Sequence, residues 1–304
     1  MEAALIEELN ILDMPDDELD AMTQDDMAAY TAELWESRSR MDVRAMAETM
    51  DVSIPLVAVG DSWFDYQPAG FDILDFLQRM REYQVLDHGE AGDTVENMAY
   101  GTEFRRRGFR PRPPRLDEAL DDLRDSGAMF FLLSGGGNDV AGPQLEGLLN
   151  HAETGLPALR ADHVDYLVDT VFRGAFEHIF KRVWAVDPNI QIIGHGYGNA
   201  IPDGRAVIRI GAKQWIGPWL RPALTRKRIL RADDRQAVVT ELITRLNDLL
   251  KALDQQYPNY HAIDARAVIN HSDWENELHL KDSAFRRVAM LFHDKIASLR
   301  AAGI

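Results

Sequence analysis

From residue 55 the chain alternates between two periodicities, and that alternation narrows its folds more than any other feature. Short apolar, β-branched or aromatic runs stand at PLVAVG (55–60), YQVLDHG (83–89), AMFFLLSGGG (128–137), IQIIGHG (190–196) and NYHAIDA (259–265). Their length and continuous apolarity predict five strands buried on both faces. Between them lie helical patterns such as RLDEALDDLRDSG, HVDYLVDTVFRGAFEHIFKRVWAV and RQAVVTELITRLNDLLKALDQQY, and KDSAFRRVAMLFHDKIASLRAA closes the chain. Buried strands separated by amphipathic helices predict an α/β fold: a parallel sheet covered on each side. In such a sheet the loops leaving the carboxyl ends of the strands gather at one edge, and ligands bind there.

Composition limits the partners. The 304 residues suffice for one large α/β domain or two small ones. A net charge of −17 argues against nucleic acid or an anionic membrane as the main partner. That charge is uneven: residues 1–50 hold 14 acidic side chains against 3 arginines, so residues 1–52 are read as an acidic helical extension of residues 53–304. The extension is either a solvated flank or a docked cap, and its protein partner is unknown. No run is long and apolar enough to span a membrane, and the start is acidic where a signal peptide is basic and then apolar. The expected compartment is the cytoplasm. The chain has no cysteine, which excludes disulfides, thiolate zinc ligands and thiol nucleophiles. The histidines show no metal-ligand spacing, so neither metal nor cofactor is expected.

The unusual residues fall at the predicted site edge. Ser62 follows the first strand, Gly92 the second, Gly136 to Asp139 the third and His195 the fourth, while His279 stands just before the closing helix. A serine hydroxyl is a poor nucleophile until a base takes its proton, and histidine is the usual base. Ester hydrolysis also needs donors aimed at the oxyanion of the tetrahedral intermediate. The Ser62 and Gly92 N–H groups and the Asn138 amide can supply them.

These residues stand in four blocks: GDSW at 60–63, GEAGDT at 89–94, GGND at 136–139 and NELH at 276–279. In order and spacing they resemble those of the SGNH, or GDSL-like, hydrolases, over about residues 53–300. The resemblance implies a flavodoxin-like three-layer α/β/α domain. It also implies a Ser62 nucleophile, a His279 base, and an oxyanion hole from Ser62, Gly92 and Asn138. The implied activity is cleavage of a small or medium carboxylic ester. A non-catalytic ligand- or protein-binding module on the same fold is the alternative.

One position departs from the family pattern. The last block is usually Asp-x-x-His, and Asn276 takes the aspartate position. Asn276 can orient His279 through its side-chain oxygen without bringing charge. Asp273, one turn earlier, is the alternative acid, and Glu277 a third candidate that faces away in an extended segment.

Three further stretches have two readings each. His195 in GHGYG either lines the pocket or packs a turn. RRRGFRPRPPR (105–115) either binds an anionic group or joins two helices at the far end of the sheet, with the acidic extension as its internal partner. Residues 197–233, with Trp215 and Trp219, are an acyl-pocket wall or lid, or else a helix packed in the core.

Overall fold

The computed structural model describes residues 11–23, 53–66, 70–80, 82–103, 112–210 and 213–304. Five parallel strands form the central sheet: β1 (Ile54–Gly60), β2 (Tyr83–Gly89), β3 (Phe130–Leu133), β4 (Gln191–His195) and, after an inserted hairpin, β7 (Tyr260–Ile263). Their order is β2-β1-β3-β4-β7. Every neighbouring pair is parallel. This is the flavodoxin-like order, which reverses between β1 and β3 and opens a crevice at their carboxyl ends. The five predicted strands are all present. The third is shorter than its apolar run, because Ser134 to Gly137 turn out of the sheet to form the site.

Burial explains the strand compositions. In the central strands β3 and β4 every residue is buried, so FFLL and QIIGH read as unbroken runs. The edge strand β2 carries Gln84 and Asp87, and much of it is only half-buried. Helices cover both faces. Helix Ile73–Arg79 packs against the closing helix Asp282–Ala301 on one side. On the other, helix Arg115–Ser126 packs against Arg173–Trp184, the last part of a continuous helical stretch that passes through a π-helical segment at Leu167–Phe172. Phe64 meets Phe292 on the first face, with ring centroids 5.9 Å apart, and Phe180 meets Tyr260 on the second at 4.4 Å.

The segment 197–233 is only partly a core helix: Ala223 and Leu224 of its one short helix are buried in the core, and the rest is loop and hairpin. After a loop it forms the antiparallel hairpin β5 (Ile208–Ile210) and β6 (Lys213–Ile216), then a short helix at Arg221–Arg226. It returns to the sheet through helix Ala232–Gln256.

One expectation about a charged segment is corrected. Arg112 and Arg115, the described end of the arginine run, are not at the far end of the sheet. Both pair with Glu90, at 2.5 and 2.8 Å, and Glu90 leaves the carboxyl end of β2 beside the site. The helix that Arg115 opens starts at the carboxyl edge and runs back toward the start of β3, which brings these arginines to the glycine block. Among the described residues the partners of Arg112 and Arg115 are the local acids Glu90, Glu103 and Glu118; residues 105–111 and 24–52 lie outside the described residues.

Of the extension, residues 11–23 are described and are docked. Ile11 and Leu19 are fully buried. Arg286 of the closing helix donates to the carbonyls of Ile11, Leu12 and Met14 and to Asp16. Asp20 accepts from the Ser283 N–H and hydroxyl at 2.9 and 3.0 Å, capping the first turn of the helix that follows His279. The remainder of the predicted helical extension lies outside the described residues. No described helix is long and apolar enough to cross a membrane.

Candidate active site

The first strand ends in glycine because no side chain fits there. A Cβ on Gly60 would lie 2.6 Å from the Phe64 ring and 2.7 Å from the Ser134 Cβ. Asp61 then fastens the turn from inside. Its buried carboxylate accepts from the Trp63 N–H at 3.0 Å, from the Ser134 hydroxyl at 2.8 Å and from the Tyr197 hydroxyl. With Gly60 and Asp61 turned inward, Ser62 stands at the cleft.

His279 reaches that serine from the loop between β7 and the closing helix. Its Nε2 lies 2.8 Å from the Ser62 Oγ, and its Nδ1 lies 3.0 Å from the Asn276 Oδ1. The Asn276 oxygen also accepts from the backbone N–H groups of Leu278 and His279, both at 3.0 Å. An oxygen facing three donors fixes which end of the amide points to the histidine. It also assigns the proton: Nδ1–H donates to Asn276, which leaves Nε2 free to accept from Ser62. Burial pushes His279 down to about 3, so the ring is neutral at physiological pH.

The two carboxylates near this histidine turn elsewhere. Asp273 pairs with Arg287 at 2.6 Å and accepts from the Asn270 N–H, also at 2.6 Å. Glu277 is fully buried and accepts from four backbone N–H groups: Gly204 at 2.9 Å, Trp219 at 2.7 Å, Leu220 at 2.7 Å and Arg221 at 3.0 Å. Burial pushes its carboxyl up, against the lowering effect of those four donors. Glu277 therefore anchors the insertion to the histidine loop. Glu277→Ala, which leaves four N–H groups without their acceptor, is expected to lower stability by about 3 kcal/mol, read from urea unfolding at pH 7. A loss under 0.5 kcal/mol would show that water replaces the carboxylate.

Two residues of the site had no signal in the four blocks. The Tyr66 ring stacks on His279 with centroids 4.2 Å apart and planes 17° from parallel. Its hydroxyl oxygen accepts from Asn276 Nδ2 at 3.0 Å, so one side chain braces both the histidine and its orienter. Trp219, from the insertion, meets the same imidazole edge-on at 5.5 Å. Trp63 ties the two loops together by donating from Nε1 to the Leu278 carbonyl at 3.0 Å.

The glycine and asparagine blocks are joined through Asp93 and Asp139. Asn138 Nδ2 donates one hydrogen to the Asp93 carbonyl at 3.0 Å and retains a second, and Asn138 lines the same cleft as Ser62. Asp139 accepts from the Val95 N–H at 3.0 Å, and burial raises it to about 7. Gly92 has φ +88°, which an L side chain rarely adopts, so the glycine block needs glycine there. Among the described residues no hydrogen bond occupies the N–H of Ser62 or of Gly92. Gly92 is not among the residues that line the cleft.

A second serine–histidine pair lies beneath the first. His195 Nε2 is 2.8 Å from the Ser134 Oγ, but Ser134 is wholly buried and His195 is 1% exposed. The Ser134 hydroxyl is taken by Asp61, and His195 stacks under Trp63 at 5.1 Å. Burial lowers His195, so the ring is neutral. The pair is closed off from solvent and packs the floor of the Gly60–Ser62 turn. Among the described residues no cluster of three or more histidines and acids could hold a metal ion.

No model of a known protein family matches the sequence, and no curated protein sequence matches it. Solved structures do. A family 3 carbohydrate esterase of Clostridium thermocellum is 12% identical, with 82% of this chain and 98% of that one covered and a TM-score of 0.45. An extracellular lipase from Streptomyces rimosus is 12% identical over 75% of this chain and 86% of that one, at 0.44. The periplasmic domain of a lipopolysaccharide acetyltransferase from Salmonella ser. Paratyphi A is 11% identical over 81% and 84%, at 0.47. In fold, the chain is similar to an esterase, a lipase and an acetyltransferase domain.

Proposed function

We propose that this protein is a serine hydrolase that cleaves carboxylic esters at Ser62. The observation that carries the reading is the continuous chain from Ser62 Oγ to His279 Nε2 and from His279 Nδ1 to Asn276, at 2.8 and 3.0 Å, opening on a cleft. Ser62 Oγ attacks the ester carbonyl carbon while its proton passes to Nε2. The oxyanion is held by the Ser62 and Gly92 N–H groups and the second hydrogen of Asn138 Nδ2. Collapse breaks the bond to the alcohol, which leaves with the proton from Nε2. Water, deprotonated by the same nitrogen, then attacks the acyl-enzyme, releases the carboxylic acid and restores Ser62.

The test is covalent. A fluorophosphonate probe should label Ser62, and Ser62→Ala should abolish the labelling together with hydrolysis of p-nitrophenyl esters. Labelling of another serine, or hydrolysis that survives in Ser62→Ala, removes the mechanism; a chain that neither labels nor hydrolyses is the binding module instead. For the oxyanion donors, Asn138→Ala is expected to lower kcat about 10²-fold with little change in KM. A kcat unchanged within threefold would place the oxyanion elsewhere.

A further inference from the structure

We infer that the end of the arginine run is a clamp that positions the Gly92 N–H: Arg112 and Arg115, acting through Glu90, fix the turn that carries this donor. The inference rests on the hydrolase reading above, in which Gly92 serves the oxyanion. A donor aimed at an oxyanion must be held in place before the reaction begins. Gly92 has little of its own to hold it. It has no side chain, its φ is +88°, and among the described residues its N–H takes no hydrogen bond. Its neighbours must therefore set its position.

Both ends of the Gly92 turn are tied to the same part of the chain, residues 101–103 and 112–115. On one side the Glu90 N–H donates to the Gly60 carbonyl at 2.9 Å, which fixes the turn to the end of β1. The Glu90 carboxylate takes Arg112 on one oxygen at 2.5 Å and Arg115 on the other at 2.8 Å. On the other side Asp93 accepts from Asn97 Nδ2 at 2.7 Å, and the Asn97 oxygen accepts from the Glu103 N–H at 2.8 Å. Two backbone bonds join the sides: Arg112 N–H to the Glu103 carbonyl at 2.7 Å, and Asp93 N–H to the Glu90 carbonyl at 3.0 Å. The contacts thus close a ring through Glu90, Arg112, Glu103, Asn97 and Asp93, and Gly92 lies between its first and last members. Asp93 also offers its carbonyl to Asn138 Nδ2 at 3.0 Å, so the ring holds two of the three proposed donors.

The charges favour positioning over anion binding. A lone exposed ion pair would hold little, but here one half-buried carboxylate takes two guanidinium groups that come from a loop and from the first turn of a helix. Burial alone would raise the Glu90 carboxyl; Arg115 and Arg112 hold it below the usual carboxylate range. Arg115 also pairs with Glu118 at 3.2 Å, so the positive charge is already balanced by nearby acids. Neither arginine lines the cleft.

The test uses the full chain, one p-nitrophenyl ester and a trifluoromethyl ketone, whose adduct with Ser62 places an oxyanion in the site. Glu90→Ala is expected to lower kcat about tenfold with KM little changed, the scale of a catalytic group moved by a fraction of an ångström. Glu90→Gln, which keeps an acceptor for one arginine, should lose about threefold, and Arg112→Ala and Arg115→Ala should fall between the two. The ketone should lose affinity by the same factor as kcat/KM in each variant, because it reports the oxyanion donors and not the fold. Ketone affinity that holds while kcat falls overturns the inference. So does a kcat within twofold of wild type in Glu90→Ala, or a rise in KM alone in the arginine variants, which would make them substrate ligands. Should Glu90→Ala fail to fold by circular dichroism, Glu90→Gln and Arg115→Ala decide by the same measurements. Failure of the hydrolase reading looks different: the wild type itself neither cleaves the ester nor is labelled on Ser62 by a fluorophosphonate, and both readings fall.

Discussion

Replacing His279 by alanine is expected to lower kcat/KM by about 10⁴-fold on any ester the protein cleaves, with the fold intact by circular dichroism. The size follows from the role. Without Nε2 at 2.8 Å the Ser62 proton has no acceptor in the site, and every turnover must use solvent. The buried pair gives the contrast. Ser134→Ala removes a hydroxyl that serves Asp61 and His195 but does not meet the cleft, so it should lower stability by about 1 to 2 kcal/mol and kcat by less than tenfold. The two variants are compared by initial rates on one p-nitrophenyl ester and by urea unfolding. Should Ser134→Ala lose as much turnover as His279→Ala, the buried pair takes part in the chemistry and the site has been placed on the wrong serine.

The frame of this site was legible in the sequence because its signals are local. A buried strand must end where the backbone can turn, so Gly60, Asp61 and Ser62 mark the exit of β1, and Gly136 to Asp139 mark the exit of β3 in the same way. Each strand of the central sheet could be read from its own run of residues. Tyr66 and Glu277 could not be read so, since their importance lies in distant partners: Tyr66 meets Asn276 across 210 positions, and Glu277 meets the Trp219 N–H across 58. An acid in an extended segment gives no sign that four N–H groups will converge on it. The hairpin at 208–216 was hidden by its length, for strands of three and four residues give too little alternation to register. The arginine run failed for another reason. A link between two helices suggested the far end of the sheet, whereas the direction of helix Arg115–Ser126 sets which end Arg112 and Arg115 meet, and direction is a property of topology.

The departure from an aspartate at position 276 predicts a distinctive pH response. A carboxylate beside Nδ1 would raise the histidine's pKa; the neutral amide does not, and burial then holds His279 down at about 3. The base must be neutral to accept the serine proton, so a lowered pKa extends activity toward acid. The acid limb of kcat/KM, which reports the free enzyme, is therefore expected below pH 5. The imidazolium formed on proton transfer still needs stabilising, and the Tyr66 ring stacked at 4.2 Å offers its negative face, an interaction worth up to about 2 kcal/mol in a dry site. Asn276→Ala removes both the orienting oxygen and the acceptor for two backbone N–H groups, and should lower kcat/KM about 10³-fold. Asp273→Ala should keep most activity, because that carboxylate is spent on Arg287 and Asn270. Asn276→Asp is the sharpest variant. Its carboxylate inherits three N–H donors, which offset the burial of a charge, and the Tyr66 hydroxyl can reverse to donate. It should move the acid limb up by at least one pH unit. Asp93 and Asp139, raised by burial to about 6 and about 7, titrate nearby, but they are common to both proteins, so the difference between the two profiles isolates position 276. A wild-type limb already near pH 6.5, unmoved in Asn276→Asp, would mean that a carboxylate other than position 276 supports His279. An Asp273→Ala loss exceeding that of Asn276→Ala would identify which one.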